Sequence, residues 1–204
     1  MDYNVITLFP KTLAISPNPI LEISKEDLDY INSLEFVNNE GNQVSSSITV
    51  LEDDYFENWH GKITSQIEYF TRDILKIPST VGWRVTTSWV NRTRVGGYHH
   101  WHNHPNSFIS GIIALTDNNR VEFASSWPIF PGWMPDYDEI NIHNAENMSM
   151  TMQTAGTMCL FPSSTMHSVP RFIPAEEDAV RLSLSFNLIA DGPFCTRGVN
   201  SLNI

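Results

Sequence analysis

Beyond about Gly82, the chain consists of short apolar segments separated by turn residues, and this pattern constrains the fold more than any other feature. The segment 181–188 shows it most clearly, because apolar and polar residues alternate along it. Residues two apart in a strand share a face. One face of this strand is therefore predicted to enter a core. The other face suits either solvent or the lining of a polar pocket, and it carries Arg181, Ser183, Ser185 and Asn187.

The same criteria predict the remaining elements. Strands are expected at 5–9, 84–91, 107–115, 121–125, 148–152, 157–161 and 167–172. A capping box at Ser24 predicts a helix to about Leu34, and apolar residues at helical spacing predict a longer helix over 54–75. Residues 38–50 are predicted to form a loop. The proline-rich segment 126–138 is predicted to be a loop whose aromatic residues either cover a site or anchor the loop, namely Trp127, Phe130, Trp133 and Tyr137.

Two helices followed by seven or eight strands predict a mainly β sandwich or barrel with helices on one side. A length of 204 residues suits one domain. We expect residues 1–80 to provide helical support and residues 82–190 to form the β core of a single domain over 1–204.

Charge and hydropathy exclude several classes of protein. A net charge of -11 disfavours broad contact with nucleic acid, which requires a basic surface. No apolar run is long enough for a membrane span. The first residues lack the basic and apolar regions of a signal peptide, so a cytoplasmic protein is expected.

The histidines provide the strongest indication of chemistry. His102 and His104 are two residues apart, so on an extended strand their imidazoles share a face. Two such imidazoles and a third ligand from a distant strand form an open site for a divalent first-row metal. His167 can supply that ligand, since it follows a predicted strand and turn. Alternatively, the cluster is simply exposed and binds metal only adventitiously.

Arg181 follows His167 by 14 residues and opens the last predicted strand. If His167 holds a metal, this guanidinium can reach a carboxylate bound to the same metal, because guanidinium groups pair bidentately with carboxylates. No zinc-type Cys-x-x-Cys or His-Glu-x-x-His motif is present.

The order of these motifs resembles the 2-oxoglutarate and Fe(II)-dependent dioxygenases, and in particular a branch of small 2OG-Fe(II) oxygenases. The resemblance covers most of the chain and is strongest over 83–188. Its motifs are an early Leu-Phe-Pro, Trp-x-Asn (89–91), His-x-His-Pro-x-Ser-x-x-Ser-Gly (102–111), Phe-Pro-Ser-x-x-x-His (161–167) and Arg-x-Ser-x-Ser-Phe-Asn (181–187).

This resemblance implies a double-stranded β-helix, or jelly roll, and a hydroxylase that uses Fe(II), 2-oxoglutarate and O2. It implies His102 and His167 as iron ligands, with no catalytic residue beyond the metal ligands. Arg181 and Ser183 would bind the far carboxylate of 2-oxoglutarate, and Asn91 and Thr93 would line the same pocket.

The resemblance leaves the third ligand open, since most members carry an acidic residue at the position of His104. We favour His104 because its spacing from His102 is local; the alternative is a carboxylate such as Glu122. Two other functions compete: a cupin-like three-histidine metalloprotein that does not use 2-oxoglutarate, and a non-enzymatic β-domain. The primary substrate and the oligomeric state are not predicted.

Overall fold

A computed structural model describes residues 10–125, 136, 138–141, 143–194 and 202–203. The predicted strand at 5–9 lies outside these residues, as do the four aromatic residues of the proline-rich segment. Among the helices of the described ranges, none has the length and apolar character that a membrane span requires.

Two helices precede the main sheets. Helix α1 (Lys25–Ser33) begins at the predicted capping box, in which Ser24 and Asp27 bond reciprocally. Helix α2 (Glu57–Glu68) is preceded by 3-10 turns at Val50–Glu52 and Asp54–Phe56, and it continues as a π-helical turn over Tyr69–Ile74. The predicted helix over 54–75 is therefore confirmed in extent, but its two ends are not α-helical.

After Gly82 each predicted strand is present, although its bounds differ by a few residues, and the strands at His99–His102, Pro193–Phe194 and Leu202–Asn203 were not predicted. In chain order they are β1 (Ala14–Ile15), β2 (Phe36–Asn38), β3 (Gln43–Ser45), β4 (Gly82–Arg94), β5 (His99–His102), β6 (Ile109–Ala114), β7 (Asn119–Ala124), β8 (Asn147–Met152), β9 (Met158–Pro162), β10 (Met166–Val169), β11 (Val180–Asp191), β12 (Pro193–Phe194) and β13 (Leu202–Asn203).

The strands form a larger sheet of order β1-β9-β6-β11-β4-β3-β2 and a smaller sheet of order β5-β10-β7-β8, and β12 pairs with β13. From β4 to β11 the chain passes repeatedly between the larger and the smaller sheet, and the pairings of these strands are antiparallel. This is the double-stranded β-helix that the resemblance implied, and the predicted fold class is confirmed.

The last long strand, β11, separates a core from a cavity. Its apolar face belongs to the main hydrophobic cluster, with residues of α2 such as Trp59 and Ile63 on the other side. Phe186 in this face is fully buried, which contributes roughly 1.5–3 kcal/mol. A Cβ at Gly111, the register partner of Phe186 on β6, would lie 2.1 Å from the Phe186 ring, so this crossing requires glycine.

A second cluster fills the space between the two sheets. It includes Ile112 and Cys159 from the larger sheet and Val121 and Phe123 from the smaller one. Since Phe123 also lies beside His167, with ring centroids 6.2 Å apart, this second core packs against the floor of the cavity.

The prediction of a loop over 38–50 was wrong in part, because residues 38 and 43–45 lie in strands. This stretch contributes to the hairpin of β2 and β3, which joins the larger sheet through the pairing of Gln43 with Arg92 and of Val44 with Asn91. Its strands are three residues long, too short for a polar sequence to show alternation. The hairpin matters for the site because it brings Asn42 to the cavity wall.

Candidate metal centre

Three imidazoles converge at one end of the smaller sheet. His102 ends β5 and lies opposite His167 of β10 in the antiparallel register. His104 follows β5 in the loop, where its backbone N–H donates to the carbonyl of Ser163 at 2.9 Å. One ligand atom from each of the three imidazoles lies within 4.8 Å of the others, so the three side chains can share one ion.

The hydrogen bonds of these imidazoles fix their tautomers. The Nδ1 atom of His102 lies 2.8 Å from the carbonyl of His100, and that of His167 lies 2.9 Å from the carbonyl of Thr165. Carbonyl oxygens only accept hydrogen bonds, so both Nδ1 atoms carry the proton. The Nε2 lone pairs are therefore available to a metal, as in metal sites where the second ring nitrogen is held by the protein.

His104 is held in the same way by a side chain. Its Nδ1 donates to Oδ1 of Asn187 at 2.6 Å, and the amide of Asn187 in turn donates from Nδ2 to the hydroxyl of Thr87 at 3.1 Å. Ser110 also donates to the Asn187 oxygen at 2.9 Å. This network engages Nδ1 of His104 and leaves its Nε2 available to the ion that the three imidazoles can share.

Because Asn187 supplies the acceptor for His104, its replacement by alanine is expected to weaken iron binding by about 10–100-fold, the usual cost of removing an outer hydrogen bond from a ligand histidine. Asn187→Asp keeps the acceptor oxygen and should retain the metal. Iron dissociation constants of the two variants and the wild type provide the measurement. An unchanged constant for Asn187→Ala would show that the tautomer of His104 does not depend on this amide.

Burial keeps the imidazoles of the site neutral. The side chain of His167 is 3% exposed, and burial together with the neighbouring His102 lowers its pKa to about 3. The same causes lower the pKa of His99, which stacks on His102, to about 4. Burial also lowers the pKa of His102 and His104. Neutral imidazoles are the form that binds metals, so the site is ready for a metal at neutral pH.

The lowered pKa of His167 predicts a pH-dependent stability. Unfolded histidine has a pKa of about 6.5, so below that value the unfolded chain binds a proton that the folded protein rejects. Stability is therefore full above pH 6.5 and falls toward pH 3. From His167 alone we expect the metal-free protein to be about 2 kcal/mol less stable at pH 5 than at pH 8. Urea denaturation at both pH values measures this, and His167→Asn should show a smaller difference than the wild type.

A buried guanidinium lies in the wall of the same cavity. Arg181 is 5% exposed, its Nη2 atom has no hydrogen-bond partner, and burial lowers its pKa to about 10. Its guanidinium lies 5.1 Å from the ring centroid of Phe172. Within the described ranges no carboxylate forms an ion pair with it. A buried charge without a counter-charge is costly, which indicates that an anionic ligand completes this site.

The other residues predicted for the cosubstrate pocket lie in the same cavity wall. They are Asn91, Thr93 and Ser183, with Thr93 opposite Arg181 in the pairing of β4 with β11. Asn91 donates to the hydroxyl of Ser185 at 2.9 Å and accepts from the Trp89 indole at 3.3 Å. Their placement agrees with the predicted role in binding a cosubstrate, which remains a proposal.

Some residues of the site were missed from the sequence. His99 faces the cavity, with its ring centroid 4.3 Å from that of His102. These residues are three apart and share a face because the pairing of β5 with β10 shifts register between His167 and Val169. Asn187 was predicted to share the face of Arg181, but strand alternation does not indicate a bond to His104.

Glu122 lies on the opposite face of β7 from Phe123, which contacts the His167 ring. Its carboxylate pairs with Arg120 at 3.2 Å, and it is absent from the group that could hold a metal. The structure therefore brings His104, rather than this carboxylate, to His102 and His167.

Comparison with known proteins agrees with the fold and with the site motifs. The fold is similar to HygX from Streptomyces hygroscopicus, solved with nickel and 2-oxoglutarate bound, at a TM-score of 0.60 and 10% identity over 87% of this chain and 82% of that one. It is also similar to SnoN, an alpha ketoglutarate dependent epimerase from nogalamycin biosynthesis, at a TM-score of 0.62 and 16% identity over 93% of this chain and 81% of that one. No curated protein sequence matches the chain.

A family model described as "Putative 2OG-Fe(II) oxygenase" matches residues 87–187. The matched segment contains the three converging histidines, Arg181 and Asn187. Over this segment, about half of its length, the chain is similar to the 2OG-Fe(II) oxygenase family.

Proposed function

We propose that this protein is a 2-oxoglutarate-dependent Fe(II) dioxygenase that hydroxylates a C–H bond of its primary substrate. We propose further that residues 1–204 form one catalytic domain in which residues 1–80 support the β-helix. The observation that carries the proposal is the combination, in one cavity, of three converging imidazoles with a buried guanidinium that lacks a counter-charge.

The donor set fits iron. His102, His104 and His167 offer three neutral nitrogen atoms, and imidazole is a ligand that suits Fe(II). A set of three protein ligands also leaves positions for other ligands, as catalytic metal sites require. When bound, iron supplies the activation of O2 and of the keto acid that C–H hydroxylation needs.

The cosubstrate would bind in the part of the cavity that β11 and β4 line. Arg181 would pair with the carboxylate of 2-oxoglutarate that is distant from the metal, with Ser183 assisting from the same face of β11. Asn91 and Thr93, on the paired strand β4, would line this end of the pocket. These residues bind and orient the cosubstrate, and the burial of Arg181 and Thr93 excludes water from its far end.

A crystal structure of the protein soaked anaerobically with Fe(II) and 2-oxoglutarate tests the proposal. We expect metal at the three Nε2 atoms and a carboxylate at Arg181. Consumption of 2-oxoglutarate that requires both iron and O2 would support the dioxygenase assignment. A protein that binds iron at the histidines but no 2-oxoglutarate would instead support a cupin-like metalloprotein.

A further inference from the structure

Among the described residues, none that lines the cavity is a carboxylate. Its described residues are neutral at pH 7 apart from two arginines, Arg120 and Arg181. This is unusual for a chain with 23 acidic residues, all of which except Asp2 lie within the described ranges. The acidic residues are therefore distributed away from the site.

Two carboxylates that lie within two residues of wall residues in the sequence already have partners. Glu122 pairs with Arg120 of the wall at 3.2 Å, so these two charges offset each other. Glu40 lies 3.5 Å from His100, and its side chain is 68% exposed. A charge with that exposure is screened by water and salt. Among the described residues of the wall, Arg181 therefore carries the buried charge that has no counter-charge.

The charges do not balance when iron and 2-oxoglutarate are added. The usual set of two histidines and one carboxylate gives the metal a negative ligand, but His104 is neutral. Fe(II) and Arg181 together bring three positive charges, and 2-oxoglutarate brings two negative ones. One positive charge therefore remains in a site where His167 and Arg181 are buried, and an isolated charge is costly in buried surroundings.

We propose that this site binds one further monoanionic group beside 2-oxoglutarate, and that the primary substrate supplies it as a carboxylate. The inference rests on the proposed function, because it counts the charges of iron and the cosubstrate. A free inorganic monoanion has the same chemistry and is the other source that the experiment must distinguish.

The test measures the binding of azide and acetate to the complex of the protein with Co(II) and 2-oxoglutarate, followed by visible absorption of the metal and by calorimetry. Acetamide serves as the neutral counterpart of acetate. We expect both anions to bind the wild type and acetamide not to bind. Azide binding without acetate binding would overturn the assignment to a substrate carboxylate and leave a free monoanion.

Two variants add a negative charge to the site: Asn42→Asp adds it in the cavity wall, and His104→Glu adds it at the metal. The matched control, Asn38→Asp, adds the same charge at an exposed position of the same hairpin. We expect about tenfold weaker anion binding in Asn42→Asp and in His104→Glu, and an unchanged constant in Asn38→Asp.

The two failures are distinguishable. A wild-type protein that takes up neither metal nor 2-oxoglutarate contradicts the proposed function itself. The other failure is a wild-type complex that holds metal and 2-oxoglutarate but binds azide and acetate no more tightly than the Asn42→Asp and His104→Glu variants do. That result overturns the anion inference alone. Metal content and thermal unfolding of each variant establish that it is folded and loaded.

Discussion

Replacement of His167 by alanine is expected to abolish stoichiometric iron binding. His167 lies beside both other candidate ligands, with its ring centroid 4.2 Å from that of His102 and 5.0 Å from that of His104. Its Nδ1 is fixed by the carbonyl of Thr165, so its Nε2 is already oriented. Loss of an outer hydrogen bond alone usually costs 10–100-fold in metal affinity, and we expect loss of a ligand to cost more than about 100-fold.

The matched control is Glu122→Gln, which alters the competing carboxylate. Glu122 pairs with Arg120 and is absent from the group that could hold a metal, so the metal content of Glu122→Gln should equal that of the wild type. Metal analysis after dialysis against iron measures both variants. Undiminished iron in His167→Ala would remove His167 from the site, and loss of iron in Glu122→Gln would make the carboxylate a ligand in place of His104.

The periodicity of the sequence was sufficient to predict the β core. Strand β11 shows why: Leu182, Leu184 and Phe186 entered the main core, while Arg181 and Ser183 faced the cavity. Alternation with period two follows directly from strand geometry, and register errors would reverse the two faces. A strand with such contrast between its faces therefore has one acceptable orientation.

Features that depend on tertiary pairing could not be predicted in this way. The bulge between β5 and β10 puts His99 on the same face as His102, against simple alternation. The β2–β3 hairpin is stabilised by its pairing with β4 rather than by its own polar sequence. The acceptor of His104 comes from Asn187, 83 residues away. Such long-range partners leave no local periodicity in the sequence.

The candidate metal ligands were more predictable than the residues that orient them. The spacing of His102 and His104 is local, and the turn before His167 suggested a returning strand. His104 nevertheless lies beyond the end of β5, where the bond of its backbone to Ser163 sets its position. The predicted shared direction of the two imidazoles was therefore correct, although the loop rather than the strand provides it for His104.

Arg181→Met is expected to weaken 2-oxoglutarate binding by about tenfold or more, because a charge-assisted bidentate pair contributes roughly 1.5–3 kcal/mol. Methionine is apolar and of comparable length, so it can occupy the space of the arginine stem without its charge. The neighbours on the same face of β11, Ser183 and Ser185, are neutral and cannot replace that charge. Calorimetric titration of the iron-loaded proteins under anaerobic conditions gives the two dissociation constants.

The stability of the Arg181→Met variant provides an independent readout. In the ligand-free wild type the guanidinium is buried and its Nη2 is unpartnered. Removing a buried charge that lacks a counter-charge should leave the ligand-free fold as stable as before or more stable. A variant that loses cosubstrate affinity without losing thermal stability would identify Arg181 as a binding residue. Equal affinities for the two proteins would remove Arg181 from the cosubstrate site, and the assignment of 2-oxoglutarate to this end of the cavity would fail with it.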